Sequence, residues 1–262
     1  MKQPAVLAIA AHPDDIELMM AGTLLRLGAA GYALHMLNIA NGCCGSMTED
    51  AAATAARRWH EAQAAAAILG ATMHPPLCND IEIFYEDGLL RKVAALVREV
   101  RPGIVLAQSP VDYMEDHMNA CRLAVTAAFA RGMPNYETDP PRPPVSGEVT
   151  LYHALPWGLR GPLGEHIPAT HFVDVGCVMK TKRDALAAHA SQKEWLDQTQ
   201  GLDSYLSTME AMAGKVGEMS GVFQQAEGWR KHLHLGFCGE DDDPLRDLLG
   251  DTIHIREEGE DA

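Results

Sequence analysis

Apolar residues run unbroken from Ala5 to Ala11, and the chain then turns abruptly polar at His12, Pro13, Asp14 and Asp15. A run without alternation predicts a strand over 4–11 that is buried on both faces. From residue 16 the period changes. Leu18, Met19, Leu24, Leu25 and Leu27 recur at helical spacing, which predicts a helix over 16–30 stopped by Gly31. ALHMLNIA at 33–40 predicts a second strand, followed by the glycine-bearing loop NGCCGS. Helices follow over 49–69, which is alanine-rich and ends at Gly70, and over 86–100, closed by Arg101-Pro102. GIVLAQ at 103–108 is a third buried strand, and residues 116–131 are helical.

Strands and helices in that rhythm imply an α/β fold: a three-layer, Rossmann-like, mostly parallel sheet with helices on both faces. Right-handed crossovers then bring the C-terminal ends of the strands to one edge, where open sheets of this kind bind ligands. From about residue 132 the pattern loosens. DPPRPP at 139–144 is a proline-rich loop, strands are predicted at 149–154 and 171–175, and PWGLRGPLGEHIP between them is a loop. Residues 178–200 and 203–213 read as helical, and the end of the chain is acidic. No repeat or clean linker divides the sequence. We therefore expect one domain over 1–262, a core over about 1–131 and an elaborated part over about 132–262 that shapes the substrate pocket.

The chemistry gathers where two buried strands end. The first ends in His12, Asp14 and Asp15; the strand at 103–108 is followed by Asp112, Glu115, Asp116 and His117. Neighbouring parallel strands would deliver both clusters to one edge, as a His/Asp/His set of nitrogen and oxygen ligands suited to Zn²⁺ in an open, three-ligand arrangement. His12 and Asp15 lie three residues apart at a strand-to-helix turn, so both can face one point. Asp14 between them need not ligate, and a free carboxylate beside a bound water is placed as a general base. Each cluster alone has a plainer explanation. Asp-Asp at a helix start is usually a cap that complements the helix dipole, and a lone helical histidine is more often surface or core than ligand. Two clusters, each after a buried strand, favour the site.

Composition narrows the partners. The formal net charge is −15, which disfavours nucleic acid and anionic membrane surfaces. Lys2 and the apolar run after it mimic a short signal peptide, but the run is too brief and leads straight into His-Pro-Asp-Asp, so it reads as a core strand. The six cysteines contain no C-x-x-C pair, which argues against a thiolate zinc site and for reduced thiols in the cytoplasm. Cys43-Cys44 as a redox or nucleophilic pair is disfavoured, because vicinal cysteines bridge only with strain. There is no G-x-G-x-x-G after the first strand, no G-x-x-x-x-G-K-[ST] and no G-x-S-x-G.

AHPDDIELMMAGTL at 11–24 resembles the signature of the PIG-L/LmbE-like zinc-dependent N-deacetylases, A-H-P-D-D-x-E followed by a small-residue helix start. NIANGCCG, RWHEAQAAAAILG, DYMEDH, ALAAHASQ and QQAEGWRKH resemble further segments of that family, so the likeness touches most of residues 5–232 and is strongest in the first motif. The resemblance implies that His12, Asp15 and His117 ligate zinc, with Fe²⁺ or Mn²⁺ as alternatives, and that Asp14 is the base. It implies that Arg58 and Asp80 hold sugar hydroxyls; otherwise Arg58 is a surface charge pairing with Glu61. Asp112 and Asp116 would orient the ligand histidines, or Asp116 would cap the following helix.

One departure stands out. The family's second motif reads H-P-x-D-x-H-x-D-H, whereas this chain has Ser109 and Met114 at the first two histidine positions. The resemblance gives the histidine at the Met114 position a part in holding the oxyanion, and a thioether cannot donate a hydrogen bond. Three readings remain: zinc alone polarises the carbonyl, another histidine substitutes, or deacetylation has weakened. His189 in AHASQ is the first candidate substitute, ahead of His153, His166 and His171. The expected activity is removal of an N-acyl group, N-acetyl by preference, from an amino sugar or its conjugate. The alternatives are a metal-dependent amidase on a non-sugar substrate and a catalytically weakened metal- or sugar-binding homologue. The expected partner is a small N-acetylated molecule. Members of the family are often homo-oligomeric, and nothing in this chain marks an interface.

Overall fold

The structure is a computed structural model that describes residues 3–193 and 205–256. Its centre is an eight-stranded sheet in the order β3-β2-β1-β4-β5-β7-β6-β8. The strands are β1 (Ala5–Ala10), β2 (Ala33–Asn38), β3 (Thr72–His74), β4 (Ile104–Ala107), β5 (Thr150–Ala154), β6 (His171–Asp174), β7 (Ala226–Lys231) and β8 (Ile253–Ile255). β3, β2, β1, β4 and β5 pair in parallel, whereas β5–β7, β7–β6 and β6–β8 are antiparallel. The α/β, mostly parallel architecture expected from the sequence is therefore present, and the chain after residue 132 extends the same sheet.

The unbroken apolar run of β1 has its expected cause, since all six residues are buried. Val6, Ala8 and Ala10 point to one face, where they pack with α1 (Asp15–Met19), α2 (Ala21–Ala29), α3 (Ala51–Leu69), α6 (Met179–Ala187), α7 (Tyr205–Ser220) and α8 (Pro244–Leu249). Ala5, Leu7 and Ile9 point to the other, against α4 (Asp87–Val100) and α5 (Glu115–Phe129). The pleat thus sorts one strand's side chains into two cores, which makes three layers.

Several elements differ from the sequence reading. The helix expected over 16–30 is two helices, broken at Met20, whose φ of −133° is not helical. No neighbouring side chain caps α2. Glu227 of β7, some two hundred residues away, does so instead: its carboxylate accepts from the backbone N–H of Gly22 at 2.8 Å and of Thr23 at 2.7 Å. Lys182 of α6 neutralises that carboxylate at 2.6 Å, and both side chains are almost wholly buried. Gly22 permits the approach, because a Cβ there would stand 2.3 Å from Val175 Cγ1. Strands β3, β7 and β8 were not anticipated. β7 reads AEGWRK, too polar in sequence for a core strand, although its first four residues are buried. The helix expected over 178–200 is broken: α6 ends at Ala187, residues 188–189 are not helical, and helix resumes over 190–193. The helix expected over 203–213 is α7, which runs on to Ser220; residues 194–204 of those readings, and the acidic end from 257, lie outside the described residues. Among the described residues no helix is long and apolar enough to cross a membrane.

The Glu227 cap is testable. Glu227→Ala removes the anchor of α2 and leaves Lys182 as a buried charge without its partner, a change worth about 3–5 kcal/mol. Urea unfolding is expected to show a loss of that size, and a loss below about 1 kcal/mol, the value of a surface pair, would contradict the assignment.

Candidate active site

The turn after β1 carries the first motif. Asp14 sits at φ 104°, in the left-handed region that residues other than glycine adopt uncommonly, and Asp15 opens α1. The Asp15 carboxylate folds back onto the turn and accepts from the His12 backbone N–H at 2.8 Å. The end of β4 holds the turn from the other side, where Gln108 Oε1 accepts from the Ala11 N–H at 2.9 Å. α5 follows β4 and supplies His117. β1 and β4 are adjacent in the sheet, so both motifs arrive at one edge as the sequence implied.

His12, Asp15 and His117 converge, with one ligand atom from each lying within 4.8 Å of the others. His12 Nδ1 is 3.6 Å from Asp15 Oδ2, and His117 Nε2 is 3.6 Å from Asp15 Oδ1. Donors about 2.0–2.1 Å from a tetrahedral ion stand about 3.3 Å apart, so the set fits a zinc-sized cation after small movements. The remote ring nitrogens have partners of their own. His12 Nε2 donates to Asp116 Oδ2 at 3.0 Å, and His117 Nδ1 to Asp112 Oδ1 at 3.0 Å. Each carboxylate fixes a ring so that the other nitrogen faces the centre. Asp116 Oδ2 also accepts from the Ile81 N–H at 2.8 Å, and Ile81 is held at φ 64°.

Electrostatics describe a pocket built for positive charge. Burial opposes a proton on His12, yet hydrogen bonds to Asp116 and Asp15 lift its pKa to about 10. Burial likewise opposes a charge on His117, but Asp15 and Asp112 raise its pKa. Burial would raise the pKa of Asp15, and the two histidines push it well below the carboxylate range. A divalent cation meets the same demand as those protons and uses the same lone pairs.

Asp14 stands just outside that triad. It is buried, which pushes its pKa up to about 6 against the opposing pull of Arg58. Tyr205 of α7 donates its hydroxyl to Asp14 Oδ2 at 2.5 Å, and Arg58 Nη2 lies 3.7 Å from Oδ1. Arg58 is 3% exposed rather than a surface charge. Its guanidinium donates to the carbonyls of Pro13 at 2.6 Å and Gly42 at 3.2 Å. The glycine loop closes over it. Gly42 has φ 76°, and a Cβ there would stand 2.5 Å from Arg58 Cδ. Asp80 secures the loop from above, accepting from the N–H groups of Gly42 at 2.6 Å and Cys44 at 3.0 Å. Glu61 does not pair with Arg58; it accepts from the backbone and hydroxyl of Ser191.

These residues line a cavity of about 290 Å³, whose wall includes Asp14, Arg58, Asp80, Tyr113, Met114, Trp157 and Tyr205. His189 is not on that wall. It is fully buried, with Nε2 3.4 Å from Glu17 Oε1, and Glu17 is as deeply enclosed. The oxyanion role expected for His189 therefore has no support from its position, although it lies close enough to Asp14 for the two charges to act on each other. His153 faces a second hollow and bonds His232, and His171 bonds Asp243. Tyr113 and Tyr205 are residues the sequence reading did not single out. Tyr113 lay inside the quoted DYMEDH, edge-on to His117 with ring centroids 5.5 Å apart, whereas nothing local to Tyr205 marks its partnership with Asp14.

Known proteins resemble the chain in sequence and in fold. Residues 7–129 match the PIG-L family, described as GlcNAc-PI de-N-acetylase. The chain is 30% identical over 235 residues to the diacetylchitobiose deacetylase of Thermococcus kodakarensis, covering 86% of this chain and 82% of the relative. It is also 29% identical over 201 residues to the 4-oxalmesaconate hydratase of Pseudomonas putida, covering 73% of this chain and 75% of that enzyme. The fold matches N,N'-diacetylchitobiose deacetylase from Pyrococcus horikoshii with a TM-score of 0.72 at 24% identity, covering 93% of this chain and 89% of the other.

The carboxylates behind the histidines give a prediction separate from turnover. Asp112→Asn and Asp116→Asn should each weaken metal affinity by about 10–100-fold in competition with a chelator. His117→Ala should lower the bound metal measured by elemental analysis, and unchanged stoichiometry would remove it from the candidate ligand set.

Proposed function

From the membership of this chain in the PIG-L family, we propose that it is a metal-dependent N-deacetylase that removes the acetyl group from an amino sugar or its conjugate. The observation that carries this reading is the placement of Asp14. It is a buried carboxylate oriented by Tyr205 and Arg58, next in sequence to one ligand of the His12–Asp15–His117 set but outside it. Zinc is the cation proposed, with Fe²⁺ and Mn²⁺ suited to the same nitrogen and oxygen donors. When bound, it supplies Lewis acidity toward the acyl oxygen and a water.

The chain's own groups do the rest. Asp14 takes a proton from the attacking water and passes it to the leaving amine, so one carboxylate serves as base and then acid. Arg58 and Tyr205 hold that carboxylate in its orientation. The donor absent at Met114 is replaced by Tyr113, whose side chain stands on the cavity wall against His117. Tyr113 is 59% exposed, and partial desolvation at the wall together with the nearby Asp15, Asp112 and Asp14 raises the phenol's pKa, which keeps its proton in place for donation. Arg58 and Asp80 are assigned to the sugar hydroxyls, since both line the cavity. Trp157 and the 156–168 segment shape access from the elaborated part of the chain. All six cysteines are free, which fits work in a reducing compartment, the cytoplasm.

Acetate release from N-acetylglucosamine and diacetylchitobiose, with and without chelator, tests this reading. Chelator-sensitive release is expected. No acetate from the metal-loaded protein would overturn it, and a water-addition activity like that of the hydratase relative would yield none. Asp14→Asn should keep its metal and lose about 10²–10⁴-fold in kcat. Tyr113→Phe should lose roughly 10²-fold in kcat with KM little changed, the cost of one oxyanion donor. Wild-type kcat in Tyr113→Phe would return the oxyanion to the metal alone.

A further inference from the structure

A second cluster of ligating atoms sits at the mouth of the cavity. One sulfur from each of Cys43 and Cys44 and one oxygen of Asp80 all lie within 4.8 Å of one another. The two sulfurs are 3.9 Å apart. That distance is far from a disulfide bond of about 2.05 Å. It is close to the separation of about 3.8 Å between two thiolates that share one tetrahedral zinc at about 2.3 Å each. We propose that Cys43, Cys44 and Asp80 form a second cation site, selective for a soft or borderline ion such as Cd²⁺ or Zn²⁺.

The loop that presents the sulfurs is held in place. Gly42 is pinned to Arg58 through its carbonyl and to Asp80 through its N–H, and Cys43 N–H donates to Asn41 Oδ1 at 3.1 Å. Each Asp80 oxygen accepts one backbone N–H, and an ionised carboxylate keeps further lone pairs for an ion. The charge around the sulfurs favours a cation. Partial desolvation raises the pKa of the exposed Cys44 thiol, and Cys43, Asp80 and Glu82 raise it further. The cationic side chain nearest the loop, Arg58, lies beneath it and is turned toward Asp14 and the Pro13 carbonyl. Cys44 is exposed, so an ion reaches the site from solvent.

The donor set differs in kind from the triad. Two sulfurs and one oxygen prefer soft ions, whereas two imidazoles and a carboxylate prefer borderline ones. Binding releases the two thiol protons and forms two metal–sulfur bonds, with no oxidant or reductant required. A consequence rests on the function proposed above. Cys44 and Asp80 both line the cavity that contains Asp14, so an ion held there occupies the place where a substrate would meet Asp80. Excess soft metal is therefore a competitive inhibitor.

The test is a Cd²⁺ titration of the full chain, first loaded with one equivalent of zinc and kept reduced with a phosphine. The wild type should take up one further equivalent and develop an ultraviolet thiolate-to-metal charge-transfer band. The Cys43→Ser/Cys44→Ser double variant should keep its zinc and show no band. Cys44→Ser alone should weaken the second equivalent by on the order of 10²-fold through loss of the chelate. Absence of the band in the wild type, or its persistence in the double variant, overturns the site. Activity is a separate readout. Cd²⁺ should raise the apparent KM for acetylated substrate in the wild type and not in the double variant. Because the band needs no turnover, failure of the deacetylase reading would leave the binding result standing.

Discussion

The buried guanidinium of Arg58 is the joint on which this site depends. It ties together three things distant in sequence: the Pro13 carbonyl in the turn after β1, the Gly42 carbonyl in the loop after β2, and the carboxylate of Asp14. A buried charge is tolerated only with partners, and these carbonyls and the carboxylate supply them. Its demands spread outward. Gly42 must lack a side chain because Arg58 fills that space, and Asp14 must hold an uncommon backbone conformation for its carboxylate to face the site. Strain of this kind persists where surrounding contacts over-determine it. Here the contacts are Arg58, Tyr205 and the Asp15 carboxylate that clips the same turn.

Around that joint the carboxylates divide their labour by position. Asp15 faces the centre between two imidazoles; Asp112 and Asp116 stand behind those rings; Asp14 stands beside them, with its hydrogen bond from Tyr205. Four carboxylates this close would repel one another if nothing positive lay among them. The histidines answer with raised pKa values, and a cation answers the same need more fully. Asp116 extends the arrangement by also holding Ile81, the residue after Asp80, so the wall near the glycine loop is registered to His12.

Much of this was legible in the sequence, and what was not has a physical reason. The unbroken run of β1 and the short apolar β4 announce buried parallel strands, and the residues that follow them announce the site. His12, Asp15 and His117 come together where the two strand ends meet, and Asp112 and Asp116 stand behind the two rings. β7 escaped notice because its Glu227, Arg230 and Lys231 look like surface, although Glu227 turns inward to cap α2 against Lys182. The same long-range cap explains why one predicted helix is two. Tyr205 was invisible because its partner is 191 positions away, and local patterns carry no information about such pairs. His189 lies in a segment that resembles the family, but membership of a segment does not say which way a side chain points. It is enclosed beside Glu17 rather than on the cavity wall.

The two clusters of candidate ligands, taken as proposed above, give one cavity a way to sort ions. The inner set is preorganised, since both imidazoles are already aimed by carboxylates and the third donor is clipped to its own turn. Little conformational freedom remains to be lost when an ion arrives. The outer set must give up thiol protons first, in a neighbourhood whose negative charge holds them. On the two proposals made above, a borderline ion such as zinc would fill the nitrogen and oxygen set before the sulfur set, whereas a softer ion would find its better donors at the rim. Asp80 belongs to the outer set, and Asp116, a support of the inner one, holds the residue next to it. The two sites share a wall but differ in chemistry, and the order in which they fill follows from proton release and preorganisation rather than from distance.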